Sequence, residues 1–398
     1  MLVCDDCGAE YAAGPDAPWR CECGHALDFA ERPLPAAGPP DALDRDRGLW
    51  AFEEFLPVEP RVTLGEGWTP LVEAPAWDAA FKLEYLFPTG SFKDRGATTT
   101  VSRAVELGVE RVVEDSSGNA GLAVATYAAR AGLDAEIYAP ADAKAGKLRA
   151  IERTGADVVR VEGSRGDVTD ACVERVDSND GTEGDGTEDD GTDAWYASHA
   201  WNPAFFAGTA TFAMEVAAGR DWSVPDAVVT PLGHGTLFLG AYRGFRALEA
   251  AGWTDGVPRL LGAQATGAAP IASASHAGSG GPDGESGGAG ADDPDGGPHR
   301  SSGGAGAPPE NDLADGIQIR DPARADQIRA AIEATDGDAV AVGPGATERE
   351  HDRLARAGFH VEPTCATATA ALERYRERGV VSPDDDVVVA LTGSGLKG

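Results

Sequence analysis

The spacing of apolar positions predicts a regular alternation of strands and helices. Short β-branched runs at 111–114, 134–139, 157–161 and 194–198 read as strands, and amphipathic stretches starting near 119, 145 and 167 read as the helices between them. A second series follows, with strands at 226–231, 259–265, 338–342 and 386–391 and helical patterns after the first and third. Strands joined by helices of ten or more residues require crossover connections, so the sheets should be mainly parallel. Two series separated by a break predict an α/β protein of two domains, each a three-layer αβα sandwich, with a cleft between them. The expected boundaries are 61–100 with 205–398 for the larger domain and 101–204 for the smaller. The Pro-rich, charged stretch within 30–60 reads as a linker.

Two stretches break the pattern. Residues 178–193 and 274–310 are rich in Gly, Ser, Asp and Pro and carry too little apolar surface to fold. They read as solvated acidic inserts.

Composition narrows the function. Of 398 residues, 33 are Lys or Arg and 66 are Asp or Glu, for a net charge of −33. Such a surface repels nucleic acid and anionic lipid. No apolar run approaches a membrane span and the first residues are not a basic leader, so the expected location is the cytoplasm. Only five lysines occur, Lys82, Lys93, Lys144, Lys147 and Lys397, so Arg supplies most of the positive charge. That balance suits a halophilic protein, whose acidic shell is screened by dense salt.

Six cysteines divide four and two. Cys4, Cys7, Cys21 and Cys23 form two close pairs, each followed by a glycine (Gly8, Gly24) that permits a tight knuckle turn. Four thiolates suit a closed structural zinc site, so residues 1–29 read as a zinc ribbon. The single residue between Cys21 and Cys23 departs from the commoner spacing. Cys172 and Cys365 read as small core residues.

Four segments fall where α/β folds bind ligands, at strand-to-helix junctions. In the first, Thr89 to Gly96, a rare lysine, Lys93, stands between a glycine turn and an apolar helix. Partial burial would make its amine nucleophilic toward an aldehyde, whereas pairing with Asp94 would make it a structural helix-start residue. The second, Ser116-Ser117-Gly118-Asn119, puts hydroxyls and free amides at a helix start, suited to a carboxylate or phosphate. The third, Gly233-His234-Gly235-Thr236-Leu237, offers glycine amides and a hydroxyl to phosphate oxygens. Its His234 reads as a solvent-facing loop residue before a general base. The fourth, around Thr392, ends the chain on a strand and a glycine turn.

Taken in this order, the motifs resemble the fold-type II family of pyridoxal-phosphate enzymes, and within it the threonine synthase branch. Gly65-Glu66-Gly67-Trp68-Thr69-Pro70-Leu71, Ala314-Asp315-Gly316-Ile317 and Val361-Glu362-Pro363 are similar to that family's motifs, and the Cys pairs look like the ribbon preceding archaeal threonine synthases. The resemblance implies pyridoxal 5'-phosphate carried on Lys93 as a Schiff base. It also implies that Asn119 meets the cofactor's 3-hydroxyl and that Gly233 to Leu237 cradle its phosphate. Ser116, Ser117 and Gly118 would hold the substrate carboxylate, and Thr392 would face the pyridine nitrogen. A hydroxyl there weakens the electron sink and favours elimination or replacement over transamination. The family precedent is a homodimer.

The chain departs from the branch at one telling place. A segment like Asn-Pro-x-Arg supplies the family's phosphate-binding arginine, and here Asn202-Pro203-Ala204-Phe205 carries Phe205 instead. Ser394 replaces the family's histidine and Gly398 its aspartate, while Lys397 is retained. Another cation, such as Arg95, would have to hold the phosphate. Three readings follow. The first is conversion of O-phospho-L-homoserine and water to L-threonine and phosphate. The second is β-elimination or β-replacement on an uncharged hydroxy-amino acid, as in serine/threonine ammonia-lyases, reminiscent in the frame Gly208-Thr209-x-Thr211. The third is a catalytically inactive ligand-binding paralogue.

Overall fold

The computed structural model describes residues 1–178, 194–272 and 309–397. Both acidic inserts lie outside the described residues, apart from Ser178, Pro309 and Glu310 at their edges. Among the described residues no helix is long and apolar enough to cross a membrane.

Strands β1 (Leu2–Val3), β2 (Glu10–Tyr11) and β3 (Asp28–Phe29) make a small antiparallel sheet in the order β2-β1-β3. Gly8 and Gly24 adopt the left-handed backbone expected of the knuckles, with φ of 75° and 90°, and their N–H groups donate to the carbonyls of Cys4 and Cys21. The stretch expected as linker is not one throughout. Arg45–Phe55 forms short 3₁₀ turns that bury Leu49, Trp50, Phe52 and Phe55. Charged neighbours hid these aromatic and aliphatic anchors in the composition, yet they are what packs the segment onto the body.

β4 (Leu71–Ala74) and β5 (Ala79–Lys82) pair antiparallel, and neither stood out in the periodicity. Helix α1 (Lys93–Leu107) then leads into β6 (Arg111–Glu114), α2 (Asn119–Ala131), β7 (Asp134–Pro140), α3 (Ala145–Glu152), β8 (Asp157–Val161), α4 (Arg165–Asp177) and β9 (Ala194–Tyr196). These four strands form a parallel sheet ordered β8-β7-β6-β9. Side chains of a strand alternate between its faces, and the packing follows. Val112 and Ile137 join the core under α1 and α2, while Val113 and Tyr138 join the one under α4.

Helix α5 (Pro203–Ala218) returns the chain to β10 (Ala227–Pro231), α6 (Thr236–Ala250), β11 (Arg259–Ala265), α7 (Ala325–Ala334), β12 (Asp338–Val342), α8 (Pro344–Arg356), α9 (Pro363–Glu377) and β13 (Val387–Ala390). The larger sheet runs β12-β11-β10-β13-β5-β4, parallel except at β4. Val228, Leu260 and Val388 pack with α5 and α6, and Val229, Leu261 and Val389 with α9. Both sheets are therefore covered on both faces, as parallel sheets require. The expected boundaries at 100/101 and 204/205 fall inside α1 and α5, which pack on each other and join the two lobes. Their close approach uses Gly208, where a β-carbon would come within 1.9 Å of the Arg95 carbonyl.

Candidate active site

Lys93 is the first residue of α1. The turn before it is tied to the far end of the chain: the N–H of Phe92 donates to the Thr392 carbonyl at 3.1 Å and that of Ser394 to the Gly90 carbonyl at 2.9 Å. Strand β13 thus delivers Thr392 to the lysine that precedes it by some 300 positions. The amine of Lys93 lies 4.6 Å from the Phe92 ring centroid and 5.8 Å from that of Phe205. Loss of hydration pushes its pKa down to about 7; the Glu114 carboxyl opposes the shift and the Arg165 charge adds to it. The alternative of a structural pair with Asp94 fails. Asp94 instead accepts from Thr89, and burial raises its own pKa to about 7.

The second motif folds as expected, opening α2. Asn119 begins that helix after Gly118, which provides no side-chain cap. Its amide donates to both oxygens of Glu362 at 3.1 Å, and its Oδ1 accepts from Lys397 at 2.6 Å. Ser116 and Gly118 are held by a hydroxyl–amide contact of 3.3 Å, and Ser117 is half-buried beside them. Gly121 is required one turn later, since a β-carbon there would strike the Ser116 carbonyl at 1.7 Å.

The third motif opens α6. Gly235 has φ of 78°, and a β-carbon on it would come within 2.5 Å of Ile328. No protein acceptor among the described residues takes the N–H groups of Gly233 to Leu237, which leaves them for an anion. The Thr236 hydroxyl donates to the His199 carbonyl at 3.3 Å. His234 is not the solvent-facing residue expected from the loop. Its ring lies 5.3 Å from that of His199, its Nδ1 is buried without a partner, and burial drops its pKa to about 3. Thr392 closes the site, its hydroxyl 3.5 Å from the Cys365 thiol. Cys365 and Cys172 are both fully buried, as small core residues would be.

Two groups escaped the sequence reading. Glu114, at the end of β6, contacts His199 Nδ1 through one oxygen at 2.6 Å and accepts the His199 N–H through the other at 3.1 Å. Burial pushes the Glu114 pKa well up and the His199 pKa well down, so both favour their neutral forms. An acid ending a buried parallel strand was the available signal. Arg165, at the start of α4, was the second. It lines a cleft of about 1040 Å³ together with Asp115, Trp201, His234, Gln318 and His25 of the loop before β3.

Arg95 is corrected as a phosphate ligand. It is fully buried, gripped by Glu84 at 2.7 and 2.8 Å and by Glu215 at 2.6 and 2.8 Å, and Glu215 also holds Lys82 at 2.7 Å. The α5 position where an arginine was missed is packed too, Phe205 being fully buried. In the small sheet, the sulfur atoms of Cys4, Cys7, Cys21 and Cys23 all lie within 4.8 Å of one another.

The donor set fits pyridoxal phosphate: a shielded amine of lowered pKa, a loop of unclaimed amides at a helix start, an asparagine and a buried hydroxyl. Comparison with known proteins agrees. Residues 62–393 match the family described as pyridoxal-phosphate dependent enzyme, and the chain belongs to that family. It is 31 % identical to threonine synthase of Methanocaldococcus jannaschii, over 99 % of this chain and 92 % of the relative. Identity to threonine synthase of Methanosarcina acetivorans is also 31 %, over 100 % and 92 %. Among solved structures, an L-serine ammonia-lyase from Rhizomucor miehei superposes with a TM-score of 0.62 at 20 % identity, covering 82 % of this chain and 93 % of its own. Threonine deaminase isoform 2 from Solanum lycopersicum gives 0.61 at 18 % identity, over 93 % and 94 %. At those identities the two structures speak to the fold alone.

Proposed function

We propose that the protein is a pyridoxal-phosphate-dependent carbon–oxygen lyase of the threonine synthase type, converting O-phospho-L-homoserine and water to L-threonine and phosphate. The observation that carries the reading is the placement of Lys93, a shielded amine with a pKa of about 7 at the junction of α1 with the C-terminal strand. The cofactor, when bound, supplies an electron sink next to the amino acid's α-carbon.

The chain's own residues do the rest. Lys93 would bind the cofactor covalently and, once displaced, take and return a proton at its Nζ; a pKa near neutrality suits both directions. The amides of Gly233 to Leu237 would hold the cofactor phosphate, and Thr392 would meet the ring nitrogen with a hydroxyl. Asn119 would reorient from Glu362 and Lys397 to the cofactor's oxygen. Ser116, Ser117 and Gly118 would receive the substrate carboxylate at the start of α2.

Phe205 favours a second reading, β-elimination on serine or threonine, because no cation stands at its position. Assaying phosphate release from O-phosphohomoserine against keto-acid release from threonine and serine decides between them, and turnover of neither removes both. An inactive paralogue is opposed by the joint presence of Lys93, Asn119 and Thr392. We further propose that the four cysteines hold zinc: tetrahedral bonds of about 2.3 Å put sulfurs roughly 3.8 Å apart, compatible with the cluster's 4.8 Å limit. Metal analysis finding about one zinc per chain, lost on Cys4→Ser, would bear this out.

A further inference from the structure

The substrate's phosphate needs a cation, since charge-assisted, bidentate contacts are the strong ones for a dianion. Phe205 provides none. Its ring packs in the core with Ala97, Val101 and Ala197, so no rearrangement of a side chain there makes an anion site. The other cations near the site are taken. Arg95 and Lys82 belong to the buried cluster with Glu84 and Glu215. Arg324 and Arg243 grip Asp28 at 3.0 and 2.8 Å. Arg320 pairs with Glu310 at 2.9 Å, Lys147 with Asp315 at 2.9 Å, and Lys397 with Glu362 at 3.2 Å.

Arg165 differs from all of these. It is exposed, and no carboxylate among the described residues forms an ion pair with it. It lines the cleft into which His234 of the phosphate loop also opens. Asp115, on the same wall, is turned to the Thr169 hydroxyl at 2.6 Å. The charge of Arg165 bears on Lys93, Glu114, His199 and His234, in keeping with its place beside His234 in the lining of this cleft. Its backbone is fixed by a complete capping box, in which Ser164 and Asp167 exchange hydrogen bonds, so the side chain departs from a defined point.

We propose that Arg165, on the smaller lobe, is the specificity-determining cation that receives the substrate's phosphate, in place of the arginine that the family resemblance implies where this chain has Phe205. The inference rests on the phosphorylated-substrate reading above. It moves phosphate recognition from α5, a helix of the core, to the rim of α4, which leaves an apolar ring beside the lysine. A substrate without the phosphate gains nothing from Arg165, so the residue would separate phosphorylated from free hydroxy-amino acids.

The test uses the holoenzyme and the variants Arg165→Gln and Arg165→Lys. With Arg165→Gln, KM for O-phosphohomoserine and the inhibition constant for inorganic phosphate should both rise about tenfold or more, with kcat changed less than about twofold. Arg165→Lys should recover part of the loss, and any keto-acid release from serine should keep its KM. Unchanged KM and phosphate inhibition would overturn the proposal. So would loss of the cofactor's visible absorbance in Arg165→Gln, which would assign the arginine to the cofactor. If the wild type does not turn over O-phosphohomoserine, the functional reading fails separately. Titration of the visible absorbance with inorganic phosphate still tests Arg165, and equal affinity in wild type and Arg165→Gln sinks it.

Discussion

The ring of Phe205 occupies the space a β-carbon on Gly96 would need: such an atom would lie 1.9 Å from the phenylalanine Cδ1. The two residues are a matched pair across α5 and α1. Restoring the charge by Phe205→Arg therefore should not restore a family-like phosphate site. A guanidinium there would replace a ring packed among Ala97, Val101 and Ala197 and stand close to the Lys93 amine, and an uncompensated buried charge costs about 3–5 kcal/mol. A fall in melting temperature, with no gain in turnover of O-phosphohomoserine, is the expected result. Gly96→Ala should also destabilise, because backbone and ring must move apart.

Lys93 has a pKa lowered to about 7, burial being the main cause. The amine is protonated and unreactive below that value and free above it. Capture of added pyridoxal phosphate by cofactor-stripped protein should accelerate as pH rises through 7 and level off near 8. An unshifted lysine would keep accelerating toward about 10.4. Borohydride reduction followed by peptide mapping should label Lys93, and Lys93→Ala should remain colourless.

Asp28 ties the cysteine-bearing sheet to the body. Its buried carboxylate meets Arg243 and Arg324, and Arg324 also donates to the carbonyls of Leu27 and Trp201 at 2.9 and 2.6 Å. The two guanidiniums outweigh the burial that opposes them and hold the Asp28 pKa well below the usual range. A depressed carboxylate stabilises the fold above its unfolded pKa, and that contribution declines as pH falls below about 4. Asp28→Asn should lose about 3–5 kcal/mol at neutral pH, because Arg324 is left fully buried without its countercharge. Thermal melts at pH 7 and pH 3 would show the difference from wild type shrink in acid.

A net charge of −33 makes self-repulsion the dominant long-range term at low ionic strength. The melting temperature should climb from about 0.1 M to about 1 M KCl as the Debye length shortens from about 10 to about 3 Å. A flat response would remove the halophilic reading.

The strand-and-helix alternation was legible because the parallel strands are short runs rich in β-branched residues set between amphipathic helical stretches. Strands β6, β8, β11 and β12 begin and end where the periodicity placed them. β4 and β5 were not legible: Leu71–Ala74 is an exposed edge strand with a mixed pattern, and Ala79–Lys82 ends on a charge whose carboxylate partner, Glu215, lies 133 residues on. The glycine loops, Lys93, Asn119 and Thr392 could be picked out locally, since each motif sits at a junction where backbone amides are left over.

What the order of residues determined by itself was the class of chemistry: a lysine at a helix start, an asparagine turn, a glycine loop and a terminal hydroxyl are short-range patterns that survive without coordinates. Only the tertiary structure decided which charges remain available for a substrate. Arg95 and Arg165 are both arginines near helix starts, indistinguishable along the chain. The fold buries one against Glu84 and Glu215 and leaves the other facing the cleft. Whether a cation is spent or free depends on carboxylates that arrive from distant strands and helices, and no local pattern records that arrival.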